Sequence, residues 1–288
     1  MVSSSWISAW SSVLGSAHVL ENIPCQDNSK VEYLIDTDFV ISAVSDGAGS
    51  CENSHIGSKF LVDNSILKIS EYIKLKISAE DQFKLSKEDW RKDAFQIFQE
   101  LKSDLKDRSI ELNLEFKSLS ATLIIAFSNG KGVYCAHVGD GRAGYRSEQG
   151  DWLPMLTPTK GEEANQTLFI TSEMWDDNDS SEYFEAFCYE DEITAFTLLT
   201  DGCERASFEI LKFSENEDKY FDPNLPFKPF FEPNFSNLIK LNDAKFSQEQ
   251  INSLWEKFLQ SGNQQLINET DDKSMILSVY FKGHIDES

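Results

Sequence analysis

Apolar residues along the chain repeat at two spacings, and the switches between them mark out the elements. Residues 32–35 and 39–44 are short runs rich in β-branched side chains, separated by Asp36-Thr37-Asp38, which predicts a hairpin. Over 53–75 and again over about 86–112 the spacing lengthens to that of a helix. In the second stretch Trp90, Ala94, Ile97, Phe98, Leu101 and Leu105 share one face, and Ser86 with Asp89 gives a near capping box. Two such amphipathic helices need a sheet to cover. Residues 122–127 and 133–138 flank Ser128-Asn129-Gly130-Lys131-Gly132, and 143–146 follows Gly139-Asp140-Gly141, a pattern that predicts an antiparallel meander.

The second half is less regular. Residues 173–192 hold nine carboxylates and no basic residue, which reads as an exposed excursion before the apolar run 193–199. Pro223, Pro226, Pro229 and Pro233 punctuate an aromatic segment that predicts neither regular helix nor central strand. Ser247 and Gln250 form a capping box, Ile251, Leu254, Trp255 and Phe258 make one helical face, and Gly262 stops it. A strand over 275–281 closes the pattern. No repeat or low-complexity linker divides the chain, so we expect a single domain over 1–288, with a flap at about 160–192 and a Pro/aromatic insertion at about 213–246. Strand runs followed by helix runs point to antiparallel sheets covered by helices.

Composition narrows the classes of function. The net charge of -23, from 49 acidic against 26 basic residues, repels phosphate backbones and anionic lipid, which argues against nucleic acid and membrane as partners. Neither a signal peptide nor an apolar run of membrane length is recognisable, and five scattered cysteines form no close pair, which fits a soluble cytoplasmic protein. The four histidines form no ligand pattern, so a metal here would rely on oxygen donors.

Four acidic sites sit where an apolar strand meets a turn: Asp46 after Val44, Asp140 after Val138, Asp201 after Leu199, and Asp271-Asp272 before Met275. Asp-Gly is a common turn dipeptide, so one case proves little. Asp46-Gly47, Asp140-Gly141 and Asp201-Gly202 all end buried-looking strands, and neighbouring strand ends converge at a sheet edge. Carboxylates about 4 Å apart repel by about 4 kcal/mol at an effective dielectric near 20, so protonation or cations must intervene. Hard divalent ions take carboxylate and carbonyl oxygen, which favours Mg2+ or Mn2+ over Zn2+. Two such ions can turn a shared water into hydroxide for in-line attack on phosphorus, with no protein nucleophile.

The motifs Pro24-Cys25-Gln26-Asp27, Ser45-Asp46-Gly47-Ala48-Gly49, Ser120-Ala121-Thr122, Val138-Gly139-Asp140-Gly141-Arg142-Ala143, Thr200-Asp201-Gly202 and Asp271-Asp272-Lys273-Ser274 resemble, in order, those of the metal-dependent type 2C serine/threonine protein phosphatases. Gly161-Glu162-Glu163-Ala164-Asn165-Gln166-Thr167 is similar to the bacterial branch. The resemblance implies an α/β/β/α sandwich, two antiparallel sheets with metals at one edge. It implies Mn2+ or Mg2+ held by Asp46, the Gly47 carbonyl, Asp201 and Asp271, a weaker third ion at Asp140 with Asp201, and Asp27 orienting the attacking water. The substrate it implies is a phosphorylated protein, and we expect a monomer. Three departures stand out: Gln26 where the family has glutamate, Ala48 where many relatives have histidine, and no arginine before Arg91. His18, on the strand before this region in our reading, is then a candidate for phosphate contact or proton donation. The departures motivate a rival reading, a catalytically weak or dead phosphatase-like binding module. A small-molecule phosphatase would share the same chemistry.

Overall fold

The structure, a computed structural model, describes residues 5–79, 83–158, 167–176, 184–215 and 217–281. The first half runs β1 (Trp6–Val13), α1 (Ser16–Glu21), β2 (Asn28–Tyr33), β3 (Val40–Ser45), α2 (Ser54–Ala79), α3 (Lys87–Glu111), β4 (Leu123–Ser128) and β5 (Val133–Val138). Then come β6 (Arg142–Ser147), β7 (Trp152–Pro154), β8 (Ala186–Tyr189), β9 (Ile193–Leu199), α4 (Glu204–Ser207), β10 (Phe208–Glu209), β11 (Lys212–Ser214), β12 (Lys219–Phe221) and β13 (Leu225–Pro226). The last elements are α5 (Lys228–Asp243), α6 (Gln248–Ser261), α7 (Gln264–Asn268) and β14 (Lys273–Tyr280). Short 3-10 turns occupy Phe116–Leu119 and Asp201–Cys203. Among the described residues no helix is long and apolar enough to cross a membrane, and all five cysteines are free thiols.

Two five-stranded antiparallel sheets, ordered β2-β3-β4-β5-β8 and β1-β14-β9-β6-β7, stack face to face. Their shared interior takes Val40, Val44, Ile124 and Cys135 from one and Tyr145, Phe196, Leu198 and Ile276 from the other. On the outer face of the first sheet, Ile41, Ala43, Ile125 and Phe127 meet α2 and α3. On the outer face of the second, Ala9, Leu277 and Val279 meet α5 and α6. The result is the four-layer sandwich expected. Because both faces of each sheet are covered, β3, β4 and β5 are buried at every position, which is why they read as continuous apolar runs instead of alternating ones.

Three expectations are corrected. The meander is broken: β6 does not extend the β4–β5 pair but pairs with β9 in the opposite sheet. The chain crosses between sheets at Gly139, whose φ of +117° is open to glycine and whose Cβ would lie 2.5 Å from Thr122. The acidic segment 173–192 is not only an exposed excursion. Trp175 and Phe184 are buried against Phe98, and β8 is an edge strand on β5; residues 159–166 and 177–183 lie outside the described residues. The Pro-rich segment holds a regular helix, α5. Pro229 falls in its first turn, where the N–H has no helical acceptor, and Pro233 is tolerated inside because Phe230, Phe231 and Leu238 bury one face. Within α6, Ile251 and Trp255 are buried as expected, whereas Leu254 is exposed.

Candidate metal centre

Antiparallel pairing explains where the acidic residues go. β3 and β5 each pair with β4, so both run the same way and end at the same edge of their sheet. The start of β2 lies there too, since Asn28 pairs with Ser45. In the other sheet β9 ends beside the start of β14, with Leu199 opposite Met275. Asp27, Asp46 and Asp140 thus come to this edge from one sheet, Asp201 and Asp271 from the other.

The backbone holds each one in place. Asp46 donates its N–H to Thr122 Oγ1 at 3.0 Å and accepts from Thr122 N at 2.8 Å. Gly47 comes so close to the Gln26 carbonyl that a Cβ would lie 2.8 Å from its oxygen. Asp27 Oδ2 accepts the Thr200 hydroxyl at 2.7 Å, and Asp140 Oδ2 that of Thr167 at 2.7 Å. Asp272 is turned the other way, as a buried staple: its carboxylate accepts Gly15 N at 2.7 Å and Gln26 N at 2.6 Å. His18 lies in α1 rather than on a strand, a correction that follows from the chain leaving β1 at Gly15 to turn towards Asp272. Its Nδ1 is 3.0 Å from Asp272 Oδ1 without hydrogen-bond alignment. Gln26 is buried, with Nε2 donating to Cys51 O at 3.4 Å and Oε1 left without a partner.

The five carboxylates share one electrostatic field. Burial, then Asp27, Asp201 and Asp271, push the Asp46 carboxyl well above its usual range. Burial does the same to Asp201, followed by the charges of Asp140, Asp271 and Asp27. At Asp27 burial raises the carboxyl while the Thr200 hydroxyl pulls it back, and the balance leaves it raised. Divalent cations would reverse this cost. Among the described residues no three His, Cys, Asp or Glu side chains close on one point as a finished cage. An open fan of oxygen donors still fits Mg2+ or Mn2+, because such ions keep several waters and take only one or two carboxylates each. Sequence reasoning had the strand-end aspartates and caught Thr122 and Thr200 within the motifs, but not that their hydroxyls hold Asp46 and Asp27.

A two-sheet sandwich with carboxylates gathered at one edge is the architecture of a metal-dependent hydrolase. A family model described as Protein phosphatase 2C matches residues 14–254, and the chain belongs to that family, whose members are metal-dependent serine/threonine protein phosphatases. It is 27% identical over 282 residues to Serine/threonine-protein phosphatase 3 of Escherichia coli (strain K12), a match covering 96% of this chain and 99% of that protein. A bacterial serine phosphatase crystal structure superposes with a TM-score of 0.54 at 14% identity, covering 96% of this chain and 99% of that one. The serine/threonine phosphatase Stp1 from Staphylococcus aureus does so with 0.53 at 15% identity, covering 96% and 95%. These two likenesses establish the fold.

Proposed function

We propose that the acidic edge is where this phosphatase hydrolyses phosphoserine and phosphothreonine in proteins, the whole chain serving as one catalytic unit. The observation that carries the reading is the shared field of Asp27, Asp46, Asp140, Asp201 and Asp271, drawn from both sheets to one place. Asp46, the Gly47 carbonyl, Asp201 and Asp271 would hold a pair of Mn2+ or Mg2+ ions, and Asp140 with Asp201 would serve a weaker third. Bound there, such ions would supply Lewis acidity, lowering the pKa of a bound water and neutralising phosphoryl charge. Asp27, fixed by the Thr200 hydroxyl and facing Asp46, orients the attacking water in line with the leaving oxygen. In this reading His18, whose Nδ1 lies 3.0 Å from Asp272 Oδ1, would supply the proton the leaving serine or threonine oxygen needs. The test is phosphate release from a phosphothreonine peptide with added Mn2+, with EDTA as control; turnover that ignores EDTA would remove the metal reading.

A further inference from the structure

Exposed large apolar side chains crowd one short stretch of this surface: Leu211, Phe213, Tyr220, Phe221, Leu225 and Phe227. Among the described residues two of its strands, β11 and β12, pair only with each other, and the Phe213 and Tyr220 rings lie 5.1 Å apart across the hairpin. Tyr220 remains 65% exposed. An isolated two-stranded hairpin is marginal by itself, so its position needs an anchor. Arg142 supplies one. Its side chain is 3% exposed and donates to Asp222 Oδ2 at 2.6 Å, Asn224 Oδ1 at 2.6 Å and Glu204 Oε2 at 2.9 Å. Asn224 in turn donates to Leu156 O at 2.7 Å. Arg142 follows Asp140-Gly141 directly, and Glu204 opens α4 directly after the Asp201 turn. One buried guanidinium therefore ties the root of an aromatic hairpin to the chain at both Asp140 and Asp201. Phe213 and Tyr220 stand together on one face of the hairpin, and an exposed aromatic pair of this kind marks an interaction site.

We infer that this hairpin is a docking platform for the polypeptide around the phosphorylated residue, taking apolar and basic side chains that flank it; this rests on the acidic edge being the active site. Continuity with that edge selects the substrate chain as occupant. A protein whose phosphate sits among the five aspartates must lay its neighbouring residues on whatever is anchored beside them. The chemistry of the platform sets the preference. Aromatic faces take aliphatic groups and cations. Lys219 is already paired with Glu217 at 2.7 Å and Asp222 with Arg142, so exposed Glu215 and Asp218 outweigh Lys212. The local field thus favours lysine or arginine over acidic flanks.

The experiment compares the full chain with its Phe213→Ser/Tyr220→Ser double variant. Both positions are exposed, and thermal unfolding checks that the fold survives. A fluorescein-labelled phosphothreonine peptide with leucine and lysine flanks is titrated by anisotropy, and its turnover is set beside that of p-nitrophenyl phosphate, which has no flanking residues. We expect the peptide dissociation constant to rise about tenfold, and kcat/KM for the peptide to fall about tenfold further than for the small ester. Unchanged peptide affinity in the double variant overturns the proposal. So does a wild-type dimer, seen by sedimentation, that the substitutions dissociate without altering peptide affinity, since the patch would then serve a second copy of the chain. If the wild type turns over neither substrate with Mn2+, the active-site reading fails, and the anisotropy comparison alone decides the hairpin.

Discussion

The two helical layers of the sandwich open grooves of different character to solvent. Over the first sheet, α2 and α3 bury Leu61, Ile66, Ile69, Ile73, Trp90, Phe98, Leu101 and Leu105 almost completely. Trp90 also donates its indole N–H to Cys135 O at 2.9 Å and meets Phe127 edge-on. Over the second sheet, α5 and α6 leave a groove of about 410 Å³ lined by Leu241, Leu254, Trp255 and Phe258. Polar contacts there supplement apolar packing: Glu232 on α5 accepts from Arg146 at 2.8 Å and from the Trp152 indole at 3.0 Å. The difference lies in what lines the gap between the helices, mainly apolar side chains in the second layer and mainly charged ones in the first. Charged contacts bridge both layers, Lys68 to Glu100 and Asp104 between α2 and α3 and the clamp of Arg146 on Glu232 over the second sheet. The helices α2 and α3 also leave a groove of about 420 Å³, but one lined largely by polar side chains such as Lys68, Glu71, Asp93 and Glu100. The acidic edge is where the two halves meet.

The comparison can be broken most directly at the tryptophans. Trp90→Ala should cost about 4 kcal/mol in urea unfolding, whereas Trp255→Ala, beside the open groove, should cost at least about 1 kcal/mol less. Equal losses would show the two tryptophan sites to be equally closely packed. The next largest effect concerns the edge itself. Asp46→Asn from one sheet and Asp201→Asn from the other should each lose at least about 100-fold in kcat with Mn2+ present, while both remain folded. If only one variant is impaired, the chemistry belongs to a single half.

The clamp gives a smaller, pH-dependent signature. Burial pushes the Glu232 carboxyl up, but Arg146 and the Trp152 N–H outweigh it and hold it below its usual range. A depressed carboxyl contributes stability above its unfolded value, about 4.3, and loses it as pH falls through the folded value. Glu232→Gln should therefore lower stability by about 1 kcal/mol at pH 7, and the gap to wild type should close as pH drops below about 4. A gap that stays constant down to pH 3 would show that charge has no part in it. Smallest of all, Leu254→Ser should change stability by no more than about 0.5 kcal/mol, since the side chain already faces the open groove. A larger loss would mean that the groove is closed in solution.

What the sequence disclosed followed the same division. The buried face of α3 was legible because six apolar positions keep helical spacing for nearly its whole length. The helix α5 was hidden by Pro229 and Pro233, whose local penalty is outweighed only by burial of Phe230 and Phe231, a tertiary fact. β6 looked like the third strand of a meander because a glycine-rich turn after a strand has the same local appearance whether the chain folds back or changes sheets. At the edge, Asp46, Asp140, Asp201 and Asp271 stood out because each closes or opens an apolar run. Asp272 did not reveal its part, since its partners Gly15 and Gln26 lie about 250 residues away in the chain.

The place of β14 between β1 and β9 has a consequence for synthesis. A nascent chain grows from its N-terminus, and its early elements start to fold before later ones emerge. Here an interior strand of one sheet, the Asp272 staple and Asp271 all arrive after every other described element. Until residue 280 has left the ribosome, β1 has no neighbour to pair with and the edge lacks part of its carboxylates. On this topology the acidic edge is complete only once β14 has emerged and paired.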